Sequence, residues 1–147
     1  MAQHFTDFLS INYNIKKIIQ IGFNLDCLEI LSARDNIKVF SIDLGANLNI
    51  LETKRQIDFV YPKRHMLLVG DIATTITQIM DFFQDFYPDL IIINIPCDLE
   101  ACLKFLKPCT FLWVNRHINL SIQEAINNYK IAIIDTIDDW ILCKRLF

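Results

Sequence analysis

The order of apolar segments along the chain restricts the fold more than any other feature. Short apolar runs that suit buried strands alternate with segments whose apolar residues recur at helical spacing. After five such strand–helix units, two further strand segments, Lys130–Thr136 and Trp140–Phe147, follow with only three residues between them. A connection this short permits only an antiparallel hairpin. The string βαβαβαβαβαββ therefore predicts an α/β layered domain with a mostly parallel sheet.

Short apolar runs predict the strands of the alternating region. They are Lys17–Ile21, Lys38–Ile42, Arg64–Val69, Leu90–Ile93 and Thr110–Val114. The run Leu90–Ile93 is apolar at every position, which predicts a strand that is buried on both faces. Asp98 is predicted to cap the following helix, and a capping box at Ser121–Glu124 predicts the start of the last helix. We assign residues 15–147 to one domain and residues 1–14 to a tail or a short helix.

The composition excludes several classes of protein. The chain has 147 residues, 53% of them apolar, and a net charge of −3, which excludes a disordered chain and a basic nucleic-acid-binding protein. No apolar run approaches the ~20 residues of a membrane span, and the first residues lack the pattern of a secretory signal. The five cysteines show no zinc-site spacing, so we interpret them as thiols in a reducing, cytoplasmic compartment. We expect no metal site.

All three glycines follow predicted strands. Gly22, Gly45 and Gly70 come directly after the first, second and third strand, where ligands bind in open α/β sheets. Asp43 ends the second strand, and an acidic residue at this place accepts hydrogen bonds from ribose hydroxyls in nucleotide-type cofactors. The first loop has one glycine instead of the pattern G-x-G-x-x-G, which argues against NAD or FAD. These residues predict a ligand cleft at the carboxyl edge of the sheet.

Four segments carry a recognisable pattern in their order and spacing. They read IIQIGFN (18–24), VFSIDLG (39–45), YPKRHMLLVGD (61–71) and DLIIINI (89–95). Together with the terminal hairpin, they resemble a subfamily of small bacterial and viral class I S-adenosylmethionine-dependent methyltransferases. The resemblance implies a Rossmann-like three-layer α/β/α sandwich. Its seven-stranded sheet would have the order 3-2-1-4-5-7-6, with strand seven antiparallel, and S-adenosylmethionine would be the cofactor.

The resemblance also implies roles for residues after the first two strands. Gly22, Phe23 and Asn24 would form the loop beside the methionine part of the cofactor. Asp43 would bind the ribose hydroxyls. The family's acidic residue before the first glycine is replaced by Gln20 here, so this position departs from the pattern.

Residues after the third and fourth strands would complete the cofactor site. Gly70 and Asp71 would lie near the adenine, and the Asp71 carboxylate would accept a hydrogen bond from the adenine amino group. Asn94 is also predicted to contact the cofactor. Two departures affect this site. Asp26 places a carboxylate where the charged tail of the cofactor would pass, and Asn94–Cys97 replaces the Asp-Gly-Gly-His of the family.

These departures leave several functions open. The chain is predicted to be an S-adenosylmethionine-dependent methyltransferase or, alternatively, a non-catalytic binding or interaction module on the same fold. A third possibility is a nucleic-acid adenine methyltransferase, whose Asn-x-Pro-aromatic motif Asn94–Cys97 resembles, but Cys97 replaces the ring that stacks on the flipped base. Nothing near Cys97 in the sequence predicts a lowered pKa for its thiol.

The expected partners follow from the same features. We expect a small-molecule or protein substrate, and neither a nucleic acid nor a membrane. The apolar segment Trp140–Phe147 predicts a homo-oligomer that forms through the C-terminal hairpin, because monomers rarely expose large apolar patches.

Overall fold

The computed structural model describes residues 3–45, 49–82, 87–103, 106–115 and 122–146. The helices within these residues are α1 (Gln3–Ile11), α2 (Asp26–Ser32), α3 (Ile50–Val60), α4 (Ile72–Phe82), α5 (Leu99–Leu103) and α6 (Ile122–Asn128). The strands are β1 (Lys17–Ile21), β2 (Lys38–Asp43), β3 (His65–Val69), β4 (Leu90–Ile93), β5 (Phe111–Asn115), β6 (Ile131–Ile137) and β7 (Trp140–Arg145). The predicted order of elements is confirmed. The bounds of β1 and β4 match the prediction as well.

All seven strands form a single sheet in the order β3-β2-β1-β4-β5-β7-β6. The first five strands of this order are parallel, and β7 runs antiparallel to both β5 and β6. The predicted fold class and strand order are therefore confirmed. All four residues of β4 are buried, as the continuous apolar run predicts for a strand with both faces covered.

Helices cover both faces of the sheet. Alternate residues of β1 point to opposite faces, so Ile19 and Ile21 pack in one apolar cluster with α4, α5 and α6, while Ile18 packs in a second cluster with α1, α2 and α3. Burial of each such side chain contributes about 1.5–3 kcal/mol. The arrangement is a three-layer α/β/α sandwich, and it leaves the carboxyl ends of β1–β4 at one edge.

Helix α1 belongs to the second of these apolar clusters. Phe5 and Leu9 are buried there, and the Phe5 ring stacks on the Trp113 ring with centroids 4.5 Å apart. The Arg34 guanidinium donates hydrogen bonds to the carbonyl oxygens of Leu9 and Asn12 at the end of the helix. Residues 3–11 thus form a helix that packs against the sheet. The division of the chain at residue 15 stays a prediction.

The helix caps and the hairpin complete the fold. Asp98 Oδ1 accepts a hydrogen bond from the Glu100 backbone at 3.1 Å, as predicted for the residue before α5, whereas Ser121 of the predicted capping box lies outside the described residues. In the hairpin, Ile141 and Leu142 are buried between β5 and β6. None of the helices in the described part of the chain is long and apolar enough to cross a membrane.

Candidate functional site

Four predicted site residues meet at the carboxyl edge of the sheet. Gly22 follows β1, Asp43 ends β2, Gly70 follows β3 and Asn94 follows β4. Backbone hydrogen bonds extend the sheet past the strands: Gly22 N donates to Ile42 O at 2.9 Å, and Gly70 N donates to Asp43 O at 3.0 Å. Neighbouring parallel strands therefore hold these residues side by side, as the sequence predicts.

The Asn94 side chain lies directly over the backbone of Gly22. Gly22 has a φ of +95°, and a Cβ atom there would be 2.1 Å from Asn94 Oδ1 and 2.8 Å from a methyl carbon of Ile95. Both Asn94 Oδ1 and Nδ2 are buried, and neither has a hydrogen-bond partner among the described residues. A buried amide without partners costs about 1–3 kcal/mol. A ligand that offers both a donor and an acceptor would recover this free energy.

Asp43 places a nearly buried carboxylate at the end of β2. The residue is 5% exposed, and within the described ranges no group donates a hydrogen bond to its side chain. Gly45, which follows two residues later, has a φ of +94°, with open space at its missing Cβ. The carboxylate can therefore accept hydrogen bonds from a ligand at this edge.

A cavity of about 440 Å³ lies at the same edge of the sheet, where the residues that follow β2 and β3 contribute to its lining. It lies between the segment after β2, the start of α4 and the segment that joins β4 to α5. Its lining residues are Leu44, Gly70, Asp71, Ile72, Ala73, Cys97, Asp98 and Ala101. The volume falls in the range of small-molecule sites, and the lining combines apolar walls with carboxylates.

The Asp71 carboxylate has a structural role that the sequence analysis missed. Asp71 Oδ1 accepts a hydrogen bond from Thr74 N at 2.9 Å, which caps the start of α4. This backbone hydrogen bond holds the pKa of the exposed Asp71 carboxyl below its usual range. The aspartate directly before the helical run 72–82 was the signal that could have identified the cap. One oxygen of Asp71 is thus committed to the helix.

The side chains of Phe23 and Asn24 turn away from the cavity. Phe23 is buried in the apolar cluster under α1–α3, where its ring stacks on His65 with centroids 5.1 Å apart, so its side chain serves the core. Asn24 Oδ1 accepts hydrogen bonds from Gln20 Nε2 at 3.0 Å and from Asp26 N at 2.9 Å. Asn24 therefore fixes the shape of the loop between β1 and α2.

A buried chain of hydrogen bonds supports this loop from below. Gln20 Oε1 accepts hydrogen bonds from Ser41 Oγ at 2.7 Å and from Cys27 Sγ at 2.8 Å. Ser41 Oγ lies 2.8 Å from His65 Nε2, and His65 Nδ1 lies 3.1 Å from Lys54 Nζ. Because the Ser41 hydrogen goes to Gln20, His65 must donate from Nε2 and accept from the Lys54 ammonium at Nδ1.

Burial determines the charge states in this chain of hydrogen bonds. Burial and then the Lys54 charge lower the pKa of His65 to about 4, so its imidazole is neutral near pH 7. Burial raises the pKa of Cys27 to about 12, so its thiol stays protonated. Gln20, which replaces the acidic residue of the pattern that this segment resembles, thus belongs to the uncharged part of this chain of hydrogen bonds. No spacing or motif predicts this network, because Gln20, Ser41 and His65 lie far apart along the chain.

Cys97 differs from the sequence-based expectation. It lines the 440 Å³ cavity, and the Cys102 thiol hydrogen-bonds to its sulfur, which lowers the pKa of Cys97. The expectation that nothing nearby lowers this pKa was therefore wrong, because the helical turn of α5 brings Cys102 back to Cys97. Among the described residues, no three His, Cys, Asp or Glu side chains form a group that could hold a metal ion.

Comparisons with known proteins support the fold. No family model and no curated protein sequence matches the chain. A candidate caffeoyl-CoA O-methyltransferase from Staphylococcus aureus has a TM-score of 0.70 at 15% identity, over 99% of this chain and 84% of that one. An S-adenosylmethionine-dependent O-methyltransferase from Thermotoga maritima has a TM-score of 0.65 at 14% identity, and the match covers 100% of this chain and 66% of that one. The structure of PigF with SAH has a TM-score of 0.61 at 12% identity, and the match covers 99% of this chain and 62% of PigF.

These similarities define the class of the fold. The chain has the seven-stranded Rossmann-like fold of class I methyltransferases, with the same β3-β2-β1-β4-β5-β7-β6 order. It spans between three fifths and five sixths of the length of the three proteins compared.

Proposed function

We propose that the chain binds S-adenosylmethionine at the carboxyl edge of its sheet and acts as a methyltransferase. The observation that carries this proposal is the nearly buried Asp43 carboxylate at the end of β2, at the edge of the sheet where its chain neighbour Leu44 lines a cavity of about 440 Å³. Its fold, which is also that of S-adenosylmethionine-dependent enzymes, supports the same assignment. The cofactor would supply an electrophilic methyl group.

The residues of the site suit the adenosine half of this cofactor. Asp43 would accept hydrogen bonds from the two ribose hydroxyls, which are strong because the acceptor is charged. Leu44 and Ile72 would provide apolar contacts for the base in the cavity. The exposed Asp71 carboxylate, which caps α4, would also accept a hydrogen bond from the adenine amino group. Asn94 would bind the cofactor through its amide once the side chain leaves its present position over Gly22.

One observation favours a second candidate, a non-catalytic binding module on the same fold. The Asn94 side chain occupies the space over Gly22, next to which the methionine half of the cofactor would pass. If Asn94 stays there, the site accepts adenosine but gains nothing from the methionine half. If the side chain rotates away, the site accepts the whole cofactor and methyl transfer becomes feasible.

A titration with matched ligands separates these candidates. Purified protein is titrated with S-adenosylmethionine, S-adenosylhomocysteine and adenosine in calorimetry and thermal-shift assays. A ligand at about 100 times its dissociation constant adds about 2.7 kcal/mol of stability. For a chain of this size, this corresponds to a rise in Tm of about 5–11 °C. An enzyme binds S-adenosylmethionine more tightly than adenosine, whereas a module blocked by Asn94 binds both equally. Absence of a response to all three ligands contradicts both candidates.

Substitution of Asp43 tests the position of the cofactor. Asp43→Ala should weaken binding by about 1.5–3 kcal/mol, or about 10- to 150-fold, because hydrogen bonds to a charged group are lost. Asp35→Ala is the matched control: it removes the same charge from an exposed residue that precedes β2, at the opposite edge of the sheet. Unchanged affinity in Asp43→Ala would place the cofactor elsewhere.

We also propose that the reducing cytoplasm is the site of action, since none of the five cysteines forms a disulfide.

A second copy of the chain is the proposed partner of the C-terminal hairpin. Ile141 and Leu142 are buried inside the monomer, so the exposed apolar side chains of this hairpin are Leu146 after β7 and, on the edge strand β6, Ile133 and Ile134, all about half exposed. Light scattering at ~100 µM should show a dimer that Ile134→Lys abolishes, because a charge on an edge strand opposes pairing. A monomer at this concentration would contradict the proposal.

A further inference from the structure

Two cysteines meet where β4 leads into α5. Cys97 lies in the non-helical segment before α5 and is half-buried. It lines the 440 Å³ cavity and an adjoining cavity of about 220 Å³ on its other side. Cys102 lies within α5 and is fully buried. The first thiol is thus open to small molecules, and the second is reached only through the first.

The two thiols lie close together. Cys102 Sγ lies 3.6 Å from the carbonyl oxygen of Asp98, the residue that follows Cys97, and a hydrogen bond joins the two thiols. This contact lowers the pKa of Cys97 and, together with burial, raises the pKa of Cys102. Cys97 lines the cavity and Cys102 is fully buried, so Cys97 is the thiol that a peroxide reaches and is the nucleophile of the pair.

We propose that Cys97 and Cys102 form a reversible intramolecular disulfide when the protein meets a peroxide. The Cys97 thiolate attacks one peroxide oxygen, the O–O bond breaks, and Cys97 becomes a sulfenic acid while hydroxide leaves. Cys102 then attacks the Cys97 sulfur, the S–S bond forms, and the sulfenic oxygen leaves as water. Overall, two thiols and one hydrogen peroxide give one disulfide and two waters. The inference does not depend on methyl transfer.

The other cysteines lack this combination of access and a partner. Burial raises the pKa of Cys27 and Cys143 to about 12, which keeps both as inert thiols. Cys109 is exposed but lies in the turn before β5, away from the pair. Oxidation by peroxide should therefore be selective for Cys97 and Cys102.

Bond formation would also change the wall of the cavity. The sulfur atoms must close from hydrogen-bond contact to a bond of roughly 2.05 Å. Cys102 is held by the helix, whereas Cys97 lies outside it, so Cys97 moves toward α5. The disulfide therefore withdraws the Cys97 side chain from the cavity.

Peptide mapping tests the proposal directly. The intact chain is treated with hydrogen peroxide, free thiols are blocked, and the protein is cut after Glu100, which lies between the two cysteines. We expect the two resulting peptides to stay linked until a dithiol reductant is added. We also expect two thiols to be lost together. Cys109→Ser is the matched control and should form the same link.

Two variants distinguish the roles of the cysteines. Cys97→Ser should lose the link altogether, while Cys102→Ser should accumulate a sulfenic acid on Cys97 that a dimedone reagent traps. Because Cys102 is buried, its variant is first checked for a cooperative melt, and Cys102→Ala replaces it if the serine unfolds the chain. The proposal is overturned if the pair stays reduced, or if Cys109 is oxidised before Cys97.

Discussion

Protonation of His65 should destabilise the fold at mildly acidic pH. Burial and the Lys54 ammonium lower the pKa of His65 from 6.5 to about 4. The unfolded chain therefore binds a proton near pH 6.5 that the folded chain does not take up until about pH 4. The free energy of unfolding falls as the pH drops through this interval and is constant above it. At about 1.36 kcal/mol for each pH unit, the loss amounts to about 3 kcal/mol.

Urea denaturation across this pH range measures the effect. The wild type is compared with His65→Gln, whose side chain does not titrate but can still donate to Ser41, so contributions from carboxyl groups cancel in the difference. We expect this difference to change by about 1.36 kcal/mol for each pH unit between about pH 4 and 6.5, and not above. Lys54→Met is the control: removal of the cation raises the pKa of His65, so the pH interval over which the stability changes becomes narrower. A difference that is independent of pH would refute the reasoning.

Three further substitutions test separate features of the structure. Gly22→Ala should lower the free energy of unfolding by about 1–3 kcal/mol, since its φ is +95° and Asn94 fills the space of the new Cβ. Gly45→Ala is the control in urea melts, because Gly45 has a similar φ of +94° but open space where the new Cβ would lie. An equal loss of unfolding free energy in both variants would contradict the contact between Gly22 and Asn94. Asn94→Ala should change the free energy of unfolding by less than about 1 kcal/mol or increase it, because it removes a buried amide without hydrogen-bond partners. A large loss of stability would argue that the Asn94 amide does have partners. Arg34→Ala should lower the free energy of unfolding by about 1.5–3 kcal/mol and speed amide hydrogen exchange in α1, because the hydrogen bonds to the Leu9 and Asn12 carbonyls are lost. Arg34→Lys should not restore the slow exchange, since an ammonium lacks the forked geometry of the guanidinium. Unchanged exchange in α1 would show that Arg34 does not hold the helix.

The fold was predictable because its determinants are local in the sequence. The continuous apolar run of β4 indicates a strand covered on both faces, and the three residues between β6 and β7 permit only a hairpin. The meeting of several candidate site residues at one edge of the sheet was predictable for a related reason. Gly22, Asp43 and Gly70 end parallel strands, and parallel strands that are paired in register end at the same edge of the sheet.

The use of the individual side chains was not predictable, because it depends on contacts between distant residues. The pairing of β2 with β1 and β3 brings Ser41 to Gln20 and His65, which are 21 and 24 residues away. The orientation of Asn94 over Gly22 depends on the pairing of β4 with β1. Neither a spacing nor a motif in the sequence records these contacts.

The hydrogen-bond chain beneath the first loop has a consequence for how the sequence can vary. Lys54 donates to Asp58, to His65 Nδ1 and to the His65 carbonyl, so all three of its hydrogens are used, and the single Ser41 hydrogen goes to Gln20. A change at one position leaves a neighbour with an unmatched donor or acceptor, so the effects of paired substitutions should be non-additive by about 0.5–3 kcal/mol. Gln20 and His65 are thus expected to vary together among related sequences, although 45 positions separate them.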